Sequence, residues 1–270
     1  MSKQYFFILA DTELELIPPE IVGDRCVLNN ARARGKAPEK MLLDASHHHP
    51  AFGKLKESER RGRPDIPHFF LMLCLDSDLS SDGRLRAFVH TRNNDVIAVN
   101  PETRLPPNYP RFVGLIETLY EKQVVPSAEN ALLELRNGVS LETLVTALKP
   151  DEVIVLDPGG EKATVLAEKM VEIKGDRIVV IVGGFSKGSF RSDLSKLKPK
   201  RYSLGDRMMK VWTVTAKVLC SIDFSEKHSA LAEPKKPAKA KAAAVPKAAK
   251  APKEAKAPSK PRPARKKKAE

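Results

Sequence analysis

Five consecutive β-branched apolar residues, Ile178-Val179-Val180-Ile181-Val182, run directly into Gly183-Gly184, with a third glycine at Gly188. A segment this uniformly apolar has no polar face to give to water. It predicts a strand buried on both sides, in a parallel sheet covered by helices. Glycines at the carboxyl end of such a strand let the backbone turn sharply and approach a ligand closely, where open α/β sheets bind small molecules. The order Lys187-Gly188-Ser189 is not that of a phosphate loop, and the glycine spacing is not that of a dinucleotide fingerprint. By itself, a strand ending in glycines is also an ordinary turn; its neighbours decide between the two readings.

The same pattern recurs on either side. Val153-Ile154-Val155-Leu156 ends at Asp157-Pro158-Gly159-Gly160, and Ala163 to Val171 reads as a helix. Together with the opening strand this makes a right-handed βαβ unit whose strand ends lie side by side. Tyr202-Ser203-Leu204-Gly205-Asp206 is a third turn, leading into a helix with Val211, Val214, Thr215, Val218 and Ile222 on one face. Upstream, Tyr5 to Ala10 is a first buried strand, followed by an acidic segment with Pro18-Pro19 that predicts a turn before a short helix. Arg92-Asn93-Asn94, between Leu85–His90 and Asp95–Val99, marks a hairpin, an elaboration over about residues 84–100. Helices are expected from Phe69 to Leu75, from Phe112 to roughly Lys122, and, capped by Ser140, to Leu148. A hydrophobic segment capped by Ser127 runs to Gly138.

Charge is unevenly distributed. Of the formal +13, residues 234–270 carry 14 Lys or Arg against two Glu, a net +12, so the first 233 residues are close to +1. That tail of Ala, Lys and Pro has almost no residues able to form a core, and the stretch 229–270 is expected to be disordered. Its charge suits non-specific contact with RNA or DNA, or simple solubilisation. Three widely spaced cysteines, Cys26, Cys74 and Cys220, in apolar context read as reduced packing residues of a cytoplasmic protein. The apolar start is too short for a signal peptide, and no stretch approaches a membrane span.

Two proline-stiffened segments carry the chemistry. Arg60-Arg61-Gly62-Arg63-Pro64-Asp65-Ile66-Pro67-His68 packs three arginines, a carboxylate and a histidine into nine residues. Arg63 and Asp65, with a proline between them, can form a planar charge-assisted pair that aims the guanidinium and leaves donors free for an anion or a base edge. The second segment, Pro101 to Phe112, offers Arg104 and Arg111 for phosphate and Tyr109 for stacking. A solvated surface loop is the alternative for both. His47-His48-His49 lacks the spacing of a metal site, since adjacent residues do not converge on one ion; no metal is expected, and a polar loop leaving a strand is the simpler reading.

In this order the segments resemble the SPOUT-class methyltransferase family that methylates N1 of a pseudouridine in small-subunit ribosomal RNA. The matching pieces are Leu42-Leu43-Asp44, Arg63-Pro64-Asp65-Ile66-Pro67-His68, Leu75-Asp76-Ser77, Asn100-Pro101-Glu102-Thr103-Arg104-Leu105-Pro106, Arg111-Phe112-Val113-Gly114-Leu115, Val182-Gly183-Gly184-Phe185-Ser186-Lys187-Gly188 and the Ser203-Leu204 turn. They cover nearly all of residues 1–225. The resemblance implies one α/β domain over 1–228 with a C-terminal trefoil knot, S-adenosylmethionine as cofactor, and a homodimer on small-subunit rRNA, with a role in small-subunit biogenesis. It places the cofactor against Leu156, Gly183, Gly188 and the turn Leu204, Gly205, Asp206, Arg207, Met208 and Met209. It places RNA against Arg63, Arg104 and Arg111, with Asp65 bracing Arg63. As proton acceptor Asp65 is the weaker reading, because a carboxylate committed to an arginine is a poor base. Two positions depart from the family pattern: Pro107, where a basic residue is usual, and Lys187, where histidine is common. The competing functions are a non-catalytic rRNA-binding assembly factor and a methyltransferase acting on tRNA.

Overall fold

The computed structural model describes residues 3–163 and 166–232, with side chains through residue 226. β1 (Gln4–Thr12) lies at the centre, and its alternation feeds two cores. Tyr5, Phe7 and Leu9 point into one; Phe6, Ile8 and Ala10 point into the other. After a 3-10 turn at Pro19–Ile21, α1 (Arg25–Arg34) starts at the Asp24 cap, whose carboxylate accepts from Cys26 N, and ends at Gly35. The three histidines do not sit in a loop: α2 (Ala45–His48) contains two of them, and only His48 of the three is buried. α3 (Asp65–Leu75) and the short α4 (Asp78–Ser81) follow.

The hairpin is present as β2 (Leu85–Thr91) and β3 (Val96–Val99), but it is built into the main sheet, because β2 pairs in parallel with β1 from Tyr5 to Leu9. α5 (Tyr109–Lys122) begins at Asn108, so Tyr109 and Arg111 belong to its first turn and not to an extended loop. The segment after Ser127 is a strand: β4 (Val124–Pro126) pairs antiparallel with β5 (Ala131–Arg136), whose Leu133 and Leu135 alternate inward. α6 (Leu141–Leu148) has Ser140 as its cap, as expected.

The βαβ unit is β6 (Glu152–Lys162), α7 (Leu166–Glu172) and β7 (Arg177–Gly183). β6 runs past its glycines: pairing lapses after Leu156 and resumes at Glu161 against Tyr202 of β8 (Lys200–Ser203). α8 (Val211–Ala232) closes the described chain and buries Val211, Thr215, Val218 and Ile222 on one face. The rest of the basic tail lies outside the described residues.

All eight strands form one sheet in the order β4-β5-β3-β2-β1-β7-β6-β8. The run from β2 to β8 is parallel and the other edge antiparallel. Both faces of the parallel part are covered: α3, α5, α7 and α8 pack on one core, α6 and Leu194 on the other. Ile178, Val180 and Val182 of β7 face the first core and Val179 and Ile181 the second, which is why its run is apolar without alternation. Among the described residues no helix is long and apolar enough to cross a membrane.

Candidate functional site

The carboxyl ends of β6, β7 and β8 are neighbours in the sheet, so the three turns that leave them meet. They enclose a cleft of about 520 Å³ lined by Leu156–Pro158 of β6, where its pairing lapses, by Gly183 at the end of β7 with Phe185 and Gly188–Phe190 beyond it, and by Leu204, Gly205 and Arg207–Met209 after β8. Val211 and Val214 of α8 complete the wall. Every residue expected at the cofactor lines this cleft except Asp206, whose carboxylate turns to the surface and pairs with Lys162 at 2.6 Å.

Two glycines are required by their surroundings. A Cβ on Gly183 would stand 2.8 Å from the Phe185 ring, and Gly188 has φ +83° with the Arg60 guanidinium 3.0 Å from where its Cβ would be. The turn itself is anchored by a residue that belongs to no motif in the sequence. Asp11, at the end of β1, accepts from Arg191 N (2.7 Å), Ser192 N (3.0 Å) and Ser192 Oγ (2.6 Å).

The arginine segment divides into two parts. Arg60 and Arg61 are buried and read differently from Arg63: Arg60 Nε donates to Glu13 and Arg61 binds Glu15 with two hydrogen bonds. The acidic stretch after β1 is therefore the counter-charge of this loop. Arg63 and Asp65 do form the planar pair, Nε to Oδ1 at 2.8 Å and Nη2 to Oδ2 at 2.7 Å, both partly exposed. Asp65 is the first residue of α3, where the helix end favours an anion. Its hydrogen bonds hold the Arg63 guanidinium above its usual range, with smaller contributions from Tyr109 and Asp44. Tyr109 donates to Asp44 at 2.6 Å, and burial first, then that carboxylate, push its phenol far up. It is thus a bracing residue and not a free stacking face.

The two stiff loops are brought together by His68. Its Nε2 lies 2.9 Å from the Pro106 carbonyl, which makes that nitrogen the donor, and its ring stacks on Phe112 at 4.3 Å. Arg104 and Arg111 are exposed, and among the described residues neither side chain has an ion pair or hydrogen bond. This leaves two exposed guanidinium groups on the loop and helix that His68 braces. None of the three arginines lines the cleft of the single chain; the same loop reaches it through Arg60, whose Nη1 donates to Ser189 O at 2.9 Å.

The model of the EMG1/NEP1 methyltransferase family matches residues 7–223, which takes in both the cleft and the arginine surface. The chain belongs to that family. Among its curated relatives are proteins named ribosomal RNA small subunit methyltransferase Nep1. That of Methanothrix thermoacetophila is 43% identical over 216 residues, 80% of this chain and 94% of the relative. That of Pyrococcus furiosus is 42% identical over 224 residues, 83% of this chain and 98% of the relative. A solved EMG1/NEP1 structure, Archaeoglobus fulgidus Nep1 bound to S-adenosylhomocysteine, superposes with a TM-score of 0.71 at 37% identity, covering 84% of this chain and all of that one.

Proposed function

We propose that the protein is an S-adenosylmethionine-dependent methyltransferase that modifies N1 of a pseudouridine in small-subunit ribosomal RNA during cytoplasmic ribosome biogenesis. The observation that carries this reading is the convergence of the β6 segment Leu156–Pro158 and the glycine-bearing turns at the ends of β7 and β8 on one cleft, in a member of the EMG1/NEP1 family. The lining fits an adenosyl group: Leu156, Leu204, Met209, Val211 and Val214 offer apolar walls, while glycine-bearing turns let the backbone come close. Leu156, Gly183, Gly188 and the turn from Leu204 to Met209 would hold the cofactor, Asp206 from outside. When bound, the cofactor supplies a methyl group already activated by its sulfonium.

Transfer would break the S–CH3 bond, form N1–CH3 and release the N1 proton to water, so what remains for the chain is alignment, which lowers a barrier without any strong acid or base. The target base is splayed from a loop so that its ring nitrogen is reachable. Arg63, aimed by Asp65, holds the base or its phosphate, and Arg104 and Arg111 grip the strand around it. Both Asp65 oxygens accept from Arg63, which suits a brace better than a proton acceptor.

The reading includes a homodimer and a C-terminal trefoil knot. The dimer is supported by an apolar groove of Phe69, Leu73, Trp212, Ala216 and Cys220 on α3 and α8, in which Phe69 is 48% exposed and meets Trp212 at 5.1 Å. A second copy seated there gives the cleft of one subunit access to the arginines of the other. The knot rests on the resemblance to SPOUT-class enzymes; the strand order, with β6 between β7 and β8 while the chain passes from β7 to β8, is compatible with it. The test is transfer of methyl from S-adenosylmethionine to an rRNA hairpin containing pseudouridine and to its uridine counterpart, read by product mass. The first gains a methyl and the second does not; equal labelling would overturn the N1 assignment, and binding without transfer would favour an assembly factor.

A further inference from the structure

The 57–65 segment touches both sites. At one end, Ser186 Oγ donates to Glu59 O (3.3 Å), Arg60 Nη1 donates to Ser189 O, and the Arg60 guanidinium lies 4.5 Å above the Phe185 ring. Phe185, Gly188 and Ser189 all line the cleft. At the other end, three residues on, is Arg63. Between them the backbone has little play: Arg61 is held by Glu15 at both oxygens, and Gly62 O accepts from Ala45 N at 2.9 Å. Arg60 is also wired to the sheet. Glu13 accepts from both Arg60 and Arg92, Arg92 reaches Glu57, and Glu57 lies 3.7 Å from Arg191 at the far end of the glycine turn. The turn is thus gripped near both ends by one charge network.

One donor in this joint is unused. Arg60 Nη2 is buried and has no partner within the described residues. A buried unpaired donor costs stability, so a small shift of the glycine turn that offers it a carbonyl would be favourable. We propose that Arg60 is a positioning residue that couples the cofactor cleft to the arginine surface, so that filling the cleft sets the 60–65 segment for RNA and RNA in turn closes the glycine turn. This rests on the methyltransferase reading above. Reciprocity is then a thermodynamic requirement: each ligand must tighten the other by the same factor.

The test is titration of S-adenosylhomocysteine into the full chain, alone and with saturating pseudouridine-containing rRNA hairpin, for wild type and Arg60→Lys. Lysine keeps the charge toward Glu13 but has no planar fork to bridge Glu13 and Ser189 while stacking on Phe185. In the wild type, RNA tightens S-adenosylhomocysteine by about 5-fold or more, the lower range of ordinary coupling. In Arg60→Lys that factor falls toward one, while each ligand alone still binds. A merely structural role would weaken both titrations equally and leave the factor intact, which would overturn the proposal, as would a factor of one in the wild type. Should Arg60→Lys not fold, Phe185→Leu removes the ring beneath the guanidinium; a reduced factor supports the coupling and an unchanged one contradicts it. Failure of the wild type to bind S-adenosylhomocysteine at all is a separate result that removes the methyltransferase reading itself.

Discussion

At the scale of single residues, position and burial decide what each polar group does. His48 illustrates this: its Nδ1 accepts from Asp44 N at 3.0 Å, its Nε2 is buried without a partner among the described residues, and burial pushes its pKa down to about 4. The folded value lies below the unfolded 6.5, so the unfolded chain takes up the proton first. The group therefore leaves stability intact above pH 6.5 and erodes it as pH falls toward 4, by about 3 kcal/mol at the end of that window. Denaturant titrations of wild type and His48→Asn, which keeps an acceptor near Asp44 N, should show the slope with pH flattened in the variant; parallel slopes would contradict the assignment. The Arg63–Asp65 pair was legible from sequence because both partners lie within three residues. The roles of Arg60 and Arg61 were not, because their partners Glu13 and Glu15 lie some 46 or 47 positions away.

At the scale of elements, legibility followed periodicity. The run of β7 and the face of α8 announce themselves because burial on both sides or on one stripe leaves a simple pattern. α1 carries mostly polar residues and buries only Val27 and Ala31, so its signal is reduced to the Asp24 cap and Gly35. β5 was hidden by turn residues and by its short length, with two inward leucines as the only alternation. α8, whose Val211 and Val214 wall the cleft, makes the clearest stability prediction. Ile222 is fully buried, and α8 packs on both α7 and α3. Ile222→Ala should cost about 2–5 kcal/mol, the usual range for a buried isoleucine truncation. A loss below about 1 kcal/mol by chemical denaturation would mean that α8 is not anchored to the main core.

At the scale of the whole molecule, the cleft and the arginine surface share no lining residue within one chain, although the 57–65 segment reaches both. The cleft opens at the strand ends, the arginines stand in the loop before α3, on α5 and in the loop between Asn100 and Pro107, and the proposed dimer would use the apolar groove of Phe69 and Trp212. Light scattering on the full chain should give the mass of a dimer, and Trp212→Glu should give a monomer with its cofactor affinity retained but its methyl transfer lost; a monomeric wild type would contradict the shared site. The most direct measurement of the central claim is steady-state methyl transfer with both substrates varied, for wild type, Arg63→Ala and Gly183→Ala. Arg63→Ala should raise the KM for RNA about 10-fold or more, as expected for loss of a charge-assisted contact, and leave that for S-adenosylmethionine unchanged. Gly183→Ala, with its Cβ driven against Phe185, should do the reverse. If Arg63→Ala instead abolishes cofactor binding, or the wild type transfers no methyl to the pseudouridine hairpin, the assignment of the two surfaces is wrong.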